Sequence, residues 1–89
     1  MRIVNDSALE KVGEKYFVFI NGYDDRTTKV VMLNSSSAWL WQQMEGRDFS
    51  REEALDALLG HFDITKEQAE ADLDNWLRIL SDNGILNYD

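Results

Sequence analysis

In the run TKVVMLNSSSAWLWQQM, from Thr28 to Met44, the hydrophobic repeat changes from that of a strand to that of a helix. Lys29 to Leu33 is β-branched or apolar with no breaker, which suits a strand half or wholly buried. Asn34 and three serines follow. Their side chains can accept from the free amides of a first helical turn, so the cluster reads as an N-cap region. Ala38, Leu40, Trp41 and Met44 then recur at helical spacing. A chain passing directly from strand to helix ties one side of that strand to its own sheet and can leave the other open.

The rest of the 89 residues adds strands before this junction and helices after it. Residues 1 to 8 are polar and mixed, and are expected to fray. A short strand is expected over Leu9 to Val12, a turn at Gly13-Glu14-Lys15, and a clearer strand over Tyr16 to Ile20. In that strand, YFVFI, every residue is apolar or aromatic. Either both faces are covered, or one meets helices and the other an aromatic partner. Asn21-Gly22 tolerates the positive backbone angles of a tight turn, and Asp24-Asp25 prolongs the loop. Three strands joined by short turns make an antiparallel meander.

After the first helix, Gly46 is expected as a helix stop. Ser50 and Glu53 fit a capping box, and Ala54, Leu55, Leu58 and Leu59 lie on one face of a second helix that ends near Gly60. Thr65 and Gln68 repeat the spacing. A third helix follows from about Lys66 to Asp82, with Ala69, Leu73, Trp76, Leu77 and Leu80 on one stripe and Gly84 as the C′ glycine. Ile85 and Leu86 return to the core. Strands first and helices second define an α+β fold, with three helices on one face of a small three-stranded antiparallel sheet, in a single domain.

Composition narrows the chemistry. With no cysteine and one histidine, His61, there are too few members for a thiolate zinc site or the usual catalytic pairs, and His61 reads as a loop or helix-end residue. The acids Glu67, Glu70, Asp72 and Asp74 do not match an EF-hand spacing and read as a solvated face. No Gly-rich phosphate loop is present, so no catalytic residue, metal or cofactor is expected. Trp41 and Trp76 fall on apolar helical faces and read as core; Trp39 diverges from them and is expected to be partly exposed or under the amino-terminal strands. Asn34-Ser35-Ser36 matches a glycosylation acceptor, idle in a chain without a secretion signal. No run approaches the roughly 20 apolar residues of a membrane span, so a cytoplasmic location is the expectation.

Net charge is -8, a field that works against phosphate backbones and anionic membranes. A strand followed by three helices also resembles a winged helix-turn-helix, whose last helix would enter DNA. Here that helix sets Lys66 and Arg78 against Glu67, Glu70, Asp72, Asp74 and Asp82, and would repel phosphates.

The run VVMLNSSSAWLWQQMEG resembles the strand, Leu-Asn, small-residue and Ile/Leu-Trp pattern of the PqqD family, named for the pyrroloquinoline-quinone biosynthesis protein D. The second helix with Ala54, Leu55 and Leu58, and HFDITKEQAEADLDNWLRILSDNGIL after it, are similar to the family's aromatic-Asp-apolar, Glu-Ala, Asp-apolar and Gly-Ile/Leu sequence. The resemblance covers about Leu9 to Leu86. It implies a three-stranded sheet against three helices, similar to a winged helix, acting as the peptide-recognition element of pathways that modify ribosomally made peptides. The leader segment of a precursor peptide would add a strand beside the third strand, in the cleft between it and the third helix. The module would then present the peptide to a modifying enzyme, often a radical S-adenosylmethionine protein, and perform no chemistry itself.

The residues accommodate that role on physical grounds. An open strand edge carries unpaired backbone donors and acceptors that an extended peptide can satisfy, while alternate side chains enter an apolar groove. Lys29, Val30, Val31, Met32 and Leu33 would supply the edge. Either Val31 and Leu33 pack inward with Val30 and Met32 outward, or the reverse. On the third helix, about 100° per residue places Asp72, Trp76, Ile79 and Asn83 along one flank of the stripe, nominated as the groove wall. With Asp72 there, basic or neutral leader residues should dock more readily than acidic ones. The rivals are a DNA-binding winged helix and a self-associating module, a homodimer in which the same edge pairs with a second copy.

Overall fold

The computed structural model describes residues 1–4, 7–24 and 27–87, of which 21–24, 27 and 28 as backbone. Its elements are β1 (Arg2–Ile3), β2 (Ser7–Val12), β3 (Lys15–Asp24), β4 (Thr27–Leu33), α1 (Ser35–Met44), α2 (Arg51–His61), α3 (Lys66–Asp82) and β5 (Leu86–Asn87). β2, β3 and β4 form the antiparallel meander, in that spatial order, and three helices follow it, as the hydrophobic periods require.

The strands run longer than their apolar cores. β2 starts at Ser7 because Ser7 and Ala8 pair with Ile20 and Phe19. Gly13, at φ +65°, and Glu14 make the two-residue loop between β2 and β3 that a Gly-X sequence favours. Asn21-Gly22 is not the turn. β3 continues through both residues to Asp24, which pairs with Thr27, and a register shift between Ile20 and Asp24 takes up the irregularity. Ladder pairing with β4 overrides the local turn preference. Of the expected Asp24-Asp25 loop, Asp24 ends the strand and Asp25 lies outside the described residues.

The first residues do not fray as expected. Ile3, only 3% exposed, pairs with Leu86, and Arg2 pairs with Asn87, forming a second, two-stranded sheet. The Val4 amide adds a bond to the Ile85 carbonyl, and the Phe49 amide donates to the Met1 carbonyl. A two-residue strand has no periodicity to read, and its partner lies more than 80 residues away.

Local chemistry sets the helix ends. Asn34 caps α1, its side chain accepting from the Ser37 amide at 2.8 Å, while the serines lie within the first turn. Ser50 and Glu53 form the full reciprocal capping box of α2, which ends one residue beyond Gly60 at His61. At α3 only half of the box forms: Thr65 caps Gln68, whose side chain turns forward to Asp72. Gly84, at φ +70°, donates to Ser81 and Ile85 donates to Leu80, a Schellman closure that only a left-handed residue allows.

The core lies between sheet and helices. α1 packs on β2, β3 and β4 and also on α2 and α3, so Trp41, Leu40 and Ala38 are enclosed from both sides. Ala69, Leu73, Trp76 and Leu80 form the buried stripe of α3, with Leu77 half-buried beside it. Trp39 is half-buried, not under the amino-terminal strands: its ring stacks on His61, with centroids 4.2 Å apart, and meets Phe62 edge-on.

Candidate functional site

β4 is a sheet edge, and among the described residues no further strand pairs with its outer side. β2 is the opposite edge. The two differ in chemistry. β2 carries Glu10 and Lys11 and is largely exposed, the kind of charged edge that discourages pairing. β4 carries one charge, Lys29 near its start, and continues as Val30, Val31, Met32, Leu33 without another; it rests on the helix layer through α1. An extended chain meeting β4 would find backbone donors and acceptors at the rim of an apolar surface, whereas at β2 it would find charges.

The choice of face is made by packing. Leu33 is buried and Val31 packs against the core, whereas Val30 and Met32 are 49% and 60% exposed. The inward set therefore continues the row of Val18 and Ile20 on β3, and the outward set continues Phe19 and Phe17. Both phenylalanines are half-buried, and neither belongs to the core. Neither alternative for YFVFI holds whole: one face meets the helices, but among the described residues the other lies between Ala8, Glu10, Val30 and Met32 rather than against an aromatic partner. Lys29 lies at the start of the edge, half-buried, opposite Ile20.

The nominated flank of α3 is only partly a surface. Trp76 is fully buried and tilted against Phe49, so it supports the helix from below and presents nothing to a ligand. This corrects its nomination as groove wall: a large ring at the border of an apolar stripe is drawn into the core because its burial stabilises more than a Leu at that site. Ile79 is half-buried against the core, and Asp72 is half-buried with its carboxylate accepting from Gln68 at 2.9 Å. Asn83 caps α3 and returns its side-chain amide to the Ile79 carbonyl at 2.7 Å. β4 packs on α1, and α3 packs on α1, α2 and β5, so α1 is the element the strand and the helix share.

A concavity of about 420 Å³ opens between α1 and α2, lined by Gln43, Met44, Arg47, Glu53, Asp56 and Ala57. It is shallow and polar, and Arg47 is engaged by Glu53 within it. On α3, Asp74 holds Arg51 at 2.9 Å. Among the described residues no three His, Asp or Glu side chains come together as metal ligands, and no helix is long and apolar enough to cross a membrane. What β4 offers chemically is a hydrogen-bonding ladder.

A family model, Coenzyme PQQ synthesis protein D (PqqD), matches residues 23–86. The chain belongs to the PqqD family. The PqqD match begins inside β3 and takes in β4, all three helices and the start of β5, so every nominated site residue falls within it. Two solved structures share the fold. TbiB1 in complex with the TbiA(beta) leader peptide is 20% identical, with a TM-score of 0.74 over 100% of this chain and 98% of that one. A lasso peptide synthetase B1 complexed with the leader peptide is 18% identical, with a TM-score of 0.68 over 94% and 93%. No curated protein matches in sequence. At these identities the likeness is one of fold.

Proposed function

We propose that this PqqD-family chain is a non-catalytic peptide-recognition module that binds the leader segment of a ribosomally made precursor peptide as a strand added to β4. The observation that carries the reading is the uncharged run Val30–Val31–Met32–Leu33, whose outer edge is paired with no further strand among the described residues and which is held against the helix layer by α1. Two proteins of the same fold are recorded with leader peptides, which supports that choice of ligand. Main-chain pairing supplies affinity with little sequence demand, and side chains entering the space between β4 and α3 supply selectivity. Lys29 to Leu33 form the ladder; Asp72, Ile79 and Asn83 form the opposite wall, with Trp76 as its support. The module presents the peptide to a modifying enzyme, of the radical S-adenosylmethionine type, in the cytoplasm.

The test is a backbone amide NMR titration of the labelled chain with synthetic leader segments of the small peptides encoded beside its gene. Shifts concentrated on Lys29–Leu33 and on α3 from Asp72 to Asn83 are expected. Shifts confined to β2 or to the α1–α2 concavity would overturn the reading. The DNA-binding alternative is not favoured: the acids of α3 outnumber its bases, and Arg47 and Arg51 are already held by Glu53 and Asp74. The same β4 edge would also serve a second copy, and a homodimer disrupted by the peptide would be its signature in light scattering.

A further inference from the structure

Two cross-strand rows on the outer face of the sheet, away from the helices, run into β4 and stop there. Ala8, Phe19 and Val30 lie opposite one another across the three strands, as do Glu10, Phe17 and Met32. Paired residues in a sheet point to the same face, so all six side chains stand on the side that the helices do not cover. Val30 and Met32, with Val12, are the exposed large apolar residues among those described. Each of the two has a phenylalanine of β3 on one side and, among the described residues, no paired strand on the other, because β4 is the last strand of that sheet.

From this we infer that the peptide bound at β4 is read on both faces of its strand. Beyond the side chains directed between β4 and α3, two residues spaced i and i+2 on the opposite parity are recognised as apolar by Val30 and Met32, completing the rows led by Phe19 and Phe17. The inference rests on the strand-addition reading and sharpens its substrate class. The ligand carries a short run apolar at successive positions, not one that alternates apolar with polar. Geometry requires this: an added strand lies ≈ 4.8 Å from β4, and its outward side chains then stand beside Val30 and Met32 whatever their identity. A polar residue there would cover two exposed apolar side chains without pairing with them, and an acidic one would also face the charge of -8 on the body.

The experiment is display selection from a random 16-residue peptide library on the immobilised full chain, repeated on Val30→Thr/Met32→Thr. Threonine keeps the strand propensity at two exposed positions, so the variant folds. Val12→Thr, on the same face but two strands away, controls for general stickiness. Wild-type winners should show apolar selection at both parities. The double variant should lose selection at the outward i and i+2 positions alone and bind the wild-type winners roughly two- to thirtyfold more weakly, the combined effect of two cross-strand pairs. Val12→Thr should change neither. If winners shift β4 amides but keep the same outward residues and affinity on the double variant, the two-face inference falls and strand addition stands. Winners that leave β4 amides unperturbed, or a library that yields no binder, overturn both.

Discussion

Ile3 lies directly opposite Leu86 in a two-stranded antiparallel pair, with its side chain 3% exposed and the Val4 amide bonded to the Ile85 carbonyl. The segment before the meander is thereby fastened to the segment after α3. Ile3→Ala should lower unfolding free energy by about 2–4 kcal/mol in urea titration, as for other large-to-small core changes. Arg2→Ala, at an exposed position with a 3.9 Å contact to Asp48, should fall within about 0.5 kcal/mol. Equal effects would mean that the pair holds nothing.

Capping at the start of α1 belongs to Asn34, not to the serines. Asn34→Ala should cost about 1 kcal/mol, because it removes the acceptor for the Ser37 amide. Ser35→Ala should be nearly silent in the same melt. The junction matters for the site, since α1 begins where the β4 edge ends.

Gly84→Ala tests the closure of α3. Space for a methyl is open there, so any effect is conformational, arising from φ +70°. About 1–2 kcal/mol is expected, a fall in Tm of roughly 4–8 °C per kcal/mol for a chain of this size. Gly60→Ala, also in open space but without a positive φ, should be neutral or slightly stabilising.

Trp76 and Ile79 separate support from contact. Trp76→Phe should lower stability by about 1–3 kcal/mol yet leave peptide affinity unchanged in the folded protein, since the ring is enclosed. Ile79→Thr should weaken peptide binding several-fold by calorimetry, because that side chain is only partly covered and stays in reach of a ligand. The opposite ranking would place Trp76 in the groove.

The candidate site was legible in proportion to how local its determinants were. Val30 to Leu33 announce a strand by β-branching and apolarity alone, and their position just before a capped helix makes an edge plausible. Which of Val31 and Met32 faces inward is not a local property, because period-two alternation is symmetric until α1 occupies one side. On α3 the 3.6-residue repeat locates a flank to within one neighbour, too coarse to distinguish the buried Trp76 from the half-buried Ile79.

The sequence by itself determined the three-strand, three-helix order and the extent of α3, because Thr65, the apolar stripe and Gly84 act within a turn of their own backbone. Tertiary structure alone decided that β3 runs on through Asn21-Gly22 to Asp24, that Ile3 finds Leu86, and that Val30 and Met32 end two outward-facing cross-strand rows at the edge of the sheet. Those outcomes rest on pairing and packing between residues distant in the chain, whose free energy overrides turn propensity and has no counterpart in any short window of residues.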